Sequence, residues 1–398
     1  MTTPGRFRIL LLAREFPNPA KPRSGLWALG GARALQEHAD LRVVAPVPRV
    51  PPVPVWGLWK ALRAVPRERS EGGLLIYHPR QFVGLGQSLY EFEGETYLRT
   101  VRNLLRRLRA DWVPDALHAH FVYPDGYAAA RLSEELGIPF FITEHAFWSP
   151  GMDAHPRIRD EAVSCARRAA RVVAVSEALR RSIVDCAGNP GNVVVIPNGV
   201  DVSVFSRDGA PETRDSLSLL YVGWLTYHKG LDLLVRAMPS ILRERPDAQL
   251  TVVGESLFRT QRRQEREIRA LAERLGAAPR IRFAGGKSPA EVARAMNAAA
   301  VVVVPSRRES FGTVIVEAMA CGRPVVATES GGPKDLITPE AGLLVPPEDP
   351  EALASAVVDV ARNLDRYDPE RIRARAVECY SWPVVAEKIA SLYAEALG

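Results

Sequence analysis

Two glutamates, Glu309 and Glu317, stand with seven residues between them in the stretch VPSRRESFGTVIVEAMACGRPVVATESGG, from Val304 to Gly332. A strand pattern ends at Pro305 and a helix pattern starts near Gly312 and stops at Gly322, which puts Glu309 in the loop and Glu317 on the first helical turns. The backbone N–H groups at Gly312, Thr313 and Val314 have no acceptor within such a helix, so they form a site for an anion. Two carboxylates beside a phosphate cannot themselves bind it. They are suited instead to neutral hydroxyls, a sugar on one side and a ribose on the other, which is the chemistry of a nucleotide sugar.

These residues need a scaffold that brings loops together at strand ends. Apolar runs at Phe7–Ala13, Leu41–Ala45, Asp115–His120, Phe140–Thr143, Arg171–Val175 and Val193–Ile196 alternate with helical patterns such as Leu26–His38 and Gly126–Leu136. A second series follows the polar stretch Ser206–Ser216, with its Gly209 and Pro211: Leu217–Val222, Gln249–Val253, Ile281–Phe283, Val301–Pro305 and Pro324–Thr328. Repeated βα units of this kind predict an α/β protein of two Rossmann-like, doubly wound domains facing a central cleft, with ligands at the carboxyl ends of the strands. The expected domains are 1–200, 201–380 and a C-terminal helix at 381–398 that packs back on the first.

The segment ESFGTVIVEAMACGRPVVAT resembles the signature of glycosyltransferase family 4, and the resemblance extends over nearly the whole second half. It includes PNGVD at Pro197–Asp201, YVG with KG between Tyr221 and Gly230, VVGE at Val252–Glu255, which contains Gly254, and GGPKDLI at Gly331–Ile337. The resemblance implies the GT-B fold and a retaining transfer from a nucleotide diphosphate sugar. It implies that Glu317 holds ribose hydroxyls, Glu309 the donor sugar and Lys229 the diphosphate, with Phe311, Gly312, Thr313 and Val314 lining the donor. One departure stands out: the family usually has an arginine where this chain has Trp224. Either Arg307, Arg308 or Lys287 supplies the missing charge, or the indole stacks on the donor, or phosphate is held more weakly.

In the first half, FPNPAKPRSGLWALGGARAL resembles the acceptor loop of the family, with Gly25 opening a helix near the donor phosphates, although a glycine there also suits plain turn chemistry. LHAHFVYPDGYAAARLSEELGIPFFITEHAFWS is a further resemblance, ending two strands in histidines. Strand alternation puts His118 and His120 on one face, with His120 nearer the carboxyl end. The resemblance gives His120 a contact with the reacting sugar or acceptor. For His118 and His145 a satisfied core histidine is an equal reading.

Bulk composition narrows the class. With 52 basic against 46 acidic residues the net charge is +6, which does not imply nucleic acid and suits phosphorylated substrates or an anionic surface. The four cysteines are far apart and show no zinc or redox spacing, and no apolar run reaches the ~20 residues of a membrane span. A cytoplasmic enzyme is expected, at the inner face of the membrane if the proline-rich segment Pro46–Arg69 makes a peripheral membrane contact. That segment reads as an irregular insertion in which Val55, Trp56, Leu58 and Trp59 neighbour Lys60, Arg63 and Arg67. No G-x-G-x-x-G follows the first strand and no Asp-x-Asp pair offers a metal site, so no cofactor and no metal are expected. The partners expected are a nucleotide-sugar donor and a glycan or lipid-linked acceptor of cell-surface polysaccharide assembly. The competing readings are a nucleotide-sugar-binding protein without transfer activity, and an epimerase or phosphorylase on the same fold.

Overall fold

The computed structural model describes residues 6–50, 56–83, 91–148, 155–208, 216–256 and 259–398. Val55, Gly209 and Pro211 lie outside the described residues. The chain divides into two compact units, Met1–Asn198 with Trp382–Gly398, and Gly199–Ser381.

The first unit is built on an eight-stranded sheet. From edge to edge its strands are Val193–Val195, Arg171–Ala174, Phe140–Glu144, Ala116–His120, Arg8–Leu12, Asp40–Val44, Leu74–Tyr77 and Glu68–Glu71. All pair in parallel except the last, which runs antiparallel to its neighbour. The central strands Arg8–Leu12, Ala116–His120 and Phe140–Glu144 are buried almost throughout because helices cover parallel sheets on both faces. Ile9, Leu11, Val43, Ile76, Phe141 and Val173 are buried in one core with Ile389 and Tyr393 of the C-terminal helix, Trp382–Leu397. That helix lies against Leu26–Leu35, where Gly30 leaves room for the indole: a Cβ there would sit 2.3 Å from Trp382 Nε1.

The second unit carries a six-stranded, wholly parallel sheet in the order Ile281–Gly285, Gln249–Val253, Ser218–Val222, Val301–Val304, Val325–Thr328 and Gly342–Val345. The strand order reverses beside Ser218–Val222, so the loops after it and after Val301–Val304 leave neighbouring strand ends, the usual place for a ligand in such sheets.

One expectation needs correction. The stretch Pro46–Arg69 is not wholly irregular, because Gly57–Ala64 forms a helix once the prolines end. Leu58 and Leu62 lie four apart among good helix formers, and only Leu62 is buried.

Candidate active site

In the second unit three loops are drawn together by glycines. Strand Val301–Val304 runs into a loop that ends at Gly312, whose φ of 107° turns the chain into helix Thr313–Ala320. The loop is pinned by the Glu309 N–H to Ser330 O at 3.0 Å and by the Gly332 N–H to Glu309 O at 2.8 Å. A Cβ on Gly332 would lie 2.4 Å from Phe311 O, so only glycine allows this approach. Likewise Gly230, at φ 67°, would place a Cβ 1.9 Å from Pro305 O, and it follows directly on the short turn Tyr227–Lys229.

That approach sets Lys229 Nζ 2.5 Å from Glu309 Oε2, a carboxylate whose side chain is only 12% exposed. The Ser306 hydroxyl also faces Glu309 Oε2, at 3.3 Å. Glu317 is half-buried on the helix that starts from the same loop. Loss of hydration pushes its carboxyl up to about 8, and no hydrogen bond to its side chain is found among the described residues. The N–H groups of Thr313 and Val314 open this helix and have no acceptor inside it.

Other expected donor residues are placed less directly. Phe311 is buried, in an edge-to-face contact with Tyr380 at 6.4 Å between ring centroids. Gly254 is required by packing, since a Cβ there would lie 2.0 Å from Gly223 O. Trp224 is 39% exposed, and its carbonyl accepts from the Tyr221 hydroxyl at 3.0 Å. Lys287 Nζ lies 3.3 Å from Glu291, beside a helix start already closed by the Ser288 capping box. Arg307 is not an uncommitted substitute for the missing arginine. Its guanidinium donates to both carboxylate oxygens of Asp232 at 2.6 and 2.8 Å and to Glu348 at 2.5 Å, and it lies 3.9 Å over the Tyr227 ring.

In the first unit, parallel pairing of Ala116–His120 with Phe140–Glu144 brings the histidines to one end of the sheet. His118 is a satisfied core residue, bonded to the Tyr393 hydroxyl at 2.5 Å and to Thr143 Oγ1 at 2.8 Å. His120 Nδ1 and His145 Nε2 share a hydrogen bond of 2.8 Å. Burial holds all three imidazoles neutral, lowering His118 and His145 to about 3 and His120 well below its ordinary value. Gly25, at φ 68°, starts the helix Leu26–Leu35, and a Cβ there would lie 2.1 Å from Glu15 O. One residue into that helix, the Trp27 ring lies 3.7 Å from that of His145 and 5.2 Å from that of His120. These side chains border a cavity with about 20 Å³ of space for water, room for one molecule.

Sequence reasoning passed over Trp27 and Asp125, although both fall within the stretches that carried the resemblance. Asp125 Oδ1 accepts the Arg14 N–H and the Tyr97 hydroxyl, each at 2.7 Å, tying the end of the first strand to helix Glu93–Leu108. The YPDG turn was the available signal.

Comparison with known proteins decides the family. The family model described as Glycosyltransferase Family 4 matches residues 9–204, and that described as Glycosyl transferases group 1 matches residues 216–363. A D-inositol 3-phosphate glycosyltransferase of Paenarthrobacter aurescens is 32% identical over 303 residues, 71% of this chain and 73% of the relative. The chain belongs to glycosyltransferase family 4. This family 4 chain is also 28% identical over 383 residues to the putative teichuronic acid biosynthesis glycosyltransferase TuaC of Bacillus subtilis, covering 92% of the one and 90% of the other. Among solved structures, sucrose-phosphate synthase of Thermosynechococcus elongatus matches with a TM-score of 0.83 at 21% identity, over 98% of this chain and 99% of that one. HepE of Anabaena, solved with UDP-glucose, matches with a TM-score of 0.74 at 21% identity, over 98% and 99% of the respective chains. The transferase therefore has the GT-B fold and is an enzyme that moves a sugar.

Proposed function

We propose that this transferase takes its sugar from a nucleoside diphosphate sugar, retains the anomeric configuration, and delivers it to a glycan or lipid-linked acceptor in cell-surface polysaccharide assembly. The observation that carries the reading is the gathering of Lys229, Glu309, Glu317 and a helix start in one unit. Glu317 takes the ribose hydroxyls and Glu309 the donor sugar. Lys229 and the N–H groups of Thr313 and Val314 balance the charge that grows on the leaving diphosphate, in place of a metal or other cofactor. From the first unit, His120 contacts the reacting sugar and Gly25 lets backbone approach the phosphates. The leaving phosphate oxygen takes the acceptor proton, so no covalent glycosyl-enzyme forms. HepE, solved with UDP-glucose, supports the donor class, and TuaC supports the acceptor class.

A thermal-shift panel of UDP-, GDP- and ADP-sugars, followed by NMR of the product anomer, tests this. A product of inverted configuration, or stabilisation by none of the panel, would overturn it.

With Arg307 bound to Asp232 and Glu348, Trp224→Arg is expected to lower the Kd for the diphosphate about tenfold, a charge-assisted bond being worth ~1.5–3 kcal/mol. The gain should shrink with salt. Weaker binding in titration calorimetry would mean that Arg308 or Lys287 already serves the phosphate.

The membrane part of the reading rests on helix Gly57–Ala64. Trp56 is 79% exposed, Leu58 47% and Trp59 46%, with Lys60 and Arg63 on the same short helix. Among the described residues no helix is long and apolar enough to cross a membrane. The protein is expected to sediment with anionic vesicles at low salt, and Trp56→Ala with Trp59→Ala should release it. Equal recovery in the supernatant with and without vesicles would remove this part alone.

A further inference from the structure

We infer that Arg307 is a positioning residue for the transfer: it braces the turn Tyr227–Lys229 and so presents Lys229 to the diphosphate, without touching the diphosphate itself. The inference rests on the diphosphate role proposed for Lys229.

The turn that carries Lys229 is short, and none of its three residues is buried, so it has little packing of its own to hold it. Arg307 grips it on both sides of the lysine. Before Lys229, the Arg307 backbone N–H donates to His228 O at 2.8 Å, Nη1 donates to Tyr227 O at 2.8 Å, and the guanidinium carbon lies 3.9 Å from the centre of the Tyr227 ring. After Lys229, Nη1 and Nη2 fork onto the two carboxylate oxygens of Asp232, in the first turn of helix Leu231–Glu244. One side chain thus fixes the backbone just before Lys229 and the helix just after it.

The brace is itself anchored. Glu348 accepts from Nε at 2.5 Å and stands at φ 62°, a left-handed conformation that a non-glycine residue keeps only where its contacts hold it. The Arg307 side chain is 10% exposed, and four of the five N–H donors of its guanidinium are engaged. A phosphate could reach them only by displacing these partners. Lysine in the same place would carry the charge but could not make the fork.

Titration calorimetry with UDP on a double-mutant cycle tests this. Lys229→Met and Arg307→Met should each weaken UDP binding about tenfold, as loss of one charge-assisted contact does, while the double variant should bind no more than about twofold more weakly than Lys229→Met alone. Arg307→Lys should behave like Arg307→Met, because charge without the fork does not brace the turn. Asp232→Asn supplies a sign: removal of an anion near the site should by charge alone tighten UDP binding, whereas release of Arg307 weakens it. Weaker binding is expected, and the loss should vanish in the Lys229→Met background. This variant keeps the shape of the side chain and carries the test if Arg307→Met does not fold. Losses that add across the cycle would overturn the inference, as a direct phosphate contact or a merely structural tie would give. UDP binding unchanged in Arg307→Met, or unchanged or tighter in Asp232→Asn, would overturn it as well. Were Lys229→Met itself to bind UDP like the wild type, the diphosphate role of Lys229 would fall, and the brace with it.

Discussion

Glu309→Gln should slow sugar transfer by a factor of about 10²–10³, the usual cost of losing one preorganised polar contact to a transition state, while nucleoside diphosphate affinity stays the same or improves. The asymmetry follows from the 2.5 Å pair between Lys229 and Glu309. A diphosphate must draw Lys229 away from a carboxylate that is nearly dehydrated, and glutamine keeps the shape of that side chain without its charge. Lys229 then meets the phosphate at lower cost, since the competing charge-assisted bond, worth ~1.5–3 kcal/mol, is gone. In the same substitution the donor sugar exchanges a charged acceptor for a weaker neutral one, so the loss appears in kcat and not in binding. Titration with UDP and single-turnover kinetics separate the two effects. Tenfold weaker UDP binding would move Glu309 from the sugar to the nucleotide.

Glu317→Gln should do the reverse: nucleotide affinity falls ten- to hundredfold, and the protein becomes more heat-stable. The folded-state value of about 8 lies above the ordinary 4.5. Between these pH values the unfolded chain gives up its proton and the folded one keeps it, so stability is lost as pH rises from 4.5 toward 8 and then levels off. Glutamine does not titrate and escapes this loss. Partial hydration of the half-buried group reduces the gain to the order of 1–3 kcal/mol, or several degrees in Tm. Scanning calorimetry at pH 5 and pH 8 measures it, and the advantage must grow toward pH 8. A variant equally unstable at both pH values would show that Glu317 supports packing and is not a carboxyl held for a ligand.

The placement of both glutamates, Glu309 in the loop and Glu317 on the helix, was legible in the sequence because it depends on local order, strand then loop then helix, which periodicity and the glycines report. The parallel sheets were legible for the same reason. The strands Leu74–Tyr77 and Gly342–Val345 were missed, being four residues each and entered through a glycine, Gly73 before the one and Gly342 as the first residue of the other. The helix at Gly57 was hidden by the prolines before it. The engagement of Arg307 could not be read at all, since Asp232 and Glu348 are 75 and 41 residues away in the chain. The bond between His120 and His145 depends on the register of two parallel strands, which alternation does not fix.

The C-terminal helix has a consequence for the order in which the protein is made. It supplies Tyr393 to His118, 275 residues earlier in the chain, and Trp382 to the glycines of the helix Leu26–Leu35. A ribosome must emit the whole second unit before that helix appears, so the nascent first unit waits with its Ile9, Leu11 and Phe141 face lacking Ile389 and Tyr393. The second unit is contiguous and can pack as soon as it emerges. The half made first is thus finished last, and until then its uncovered apolar face is the part of the nascent chain most in need of a chaperone.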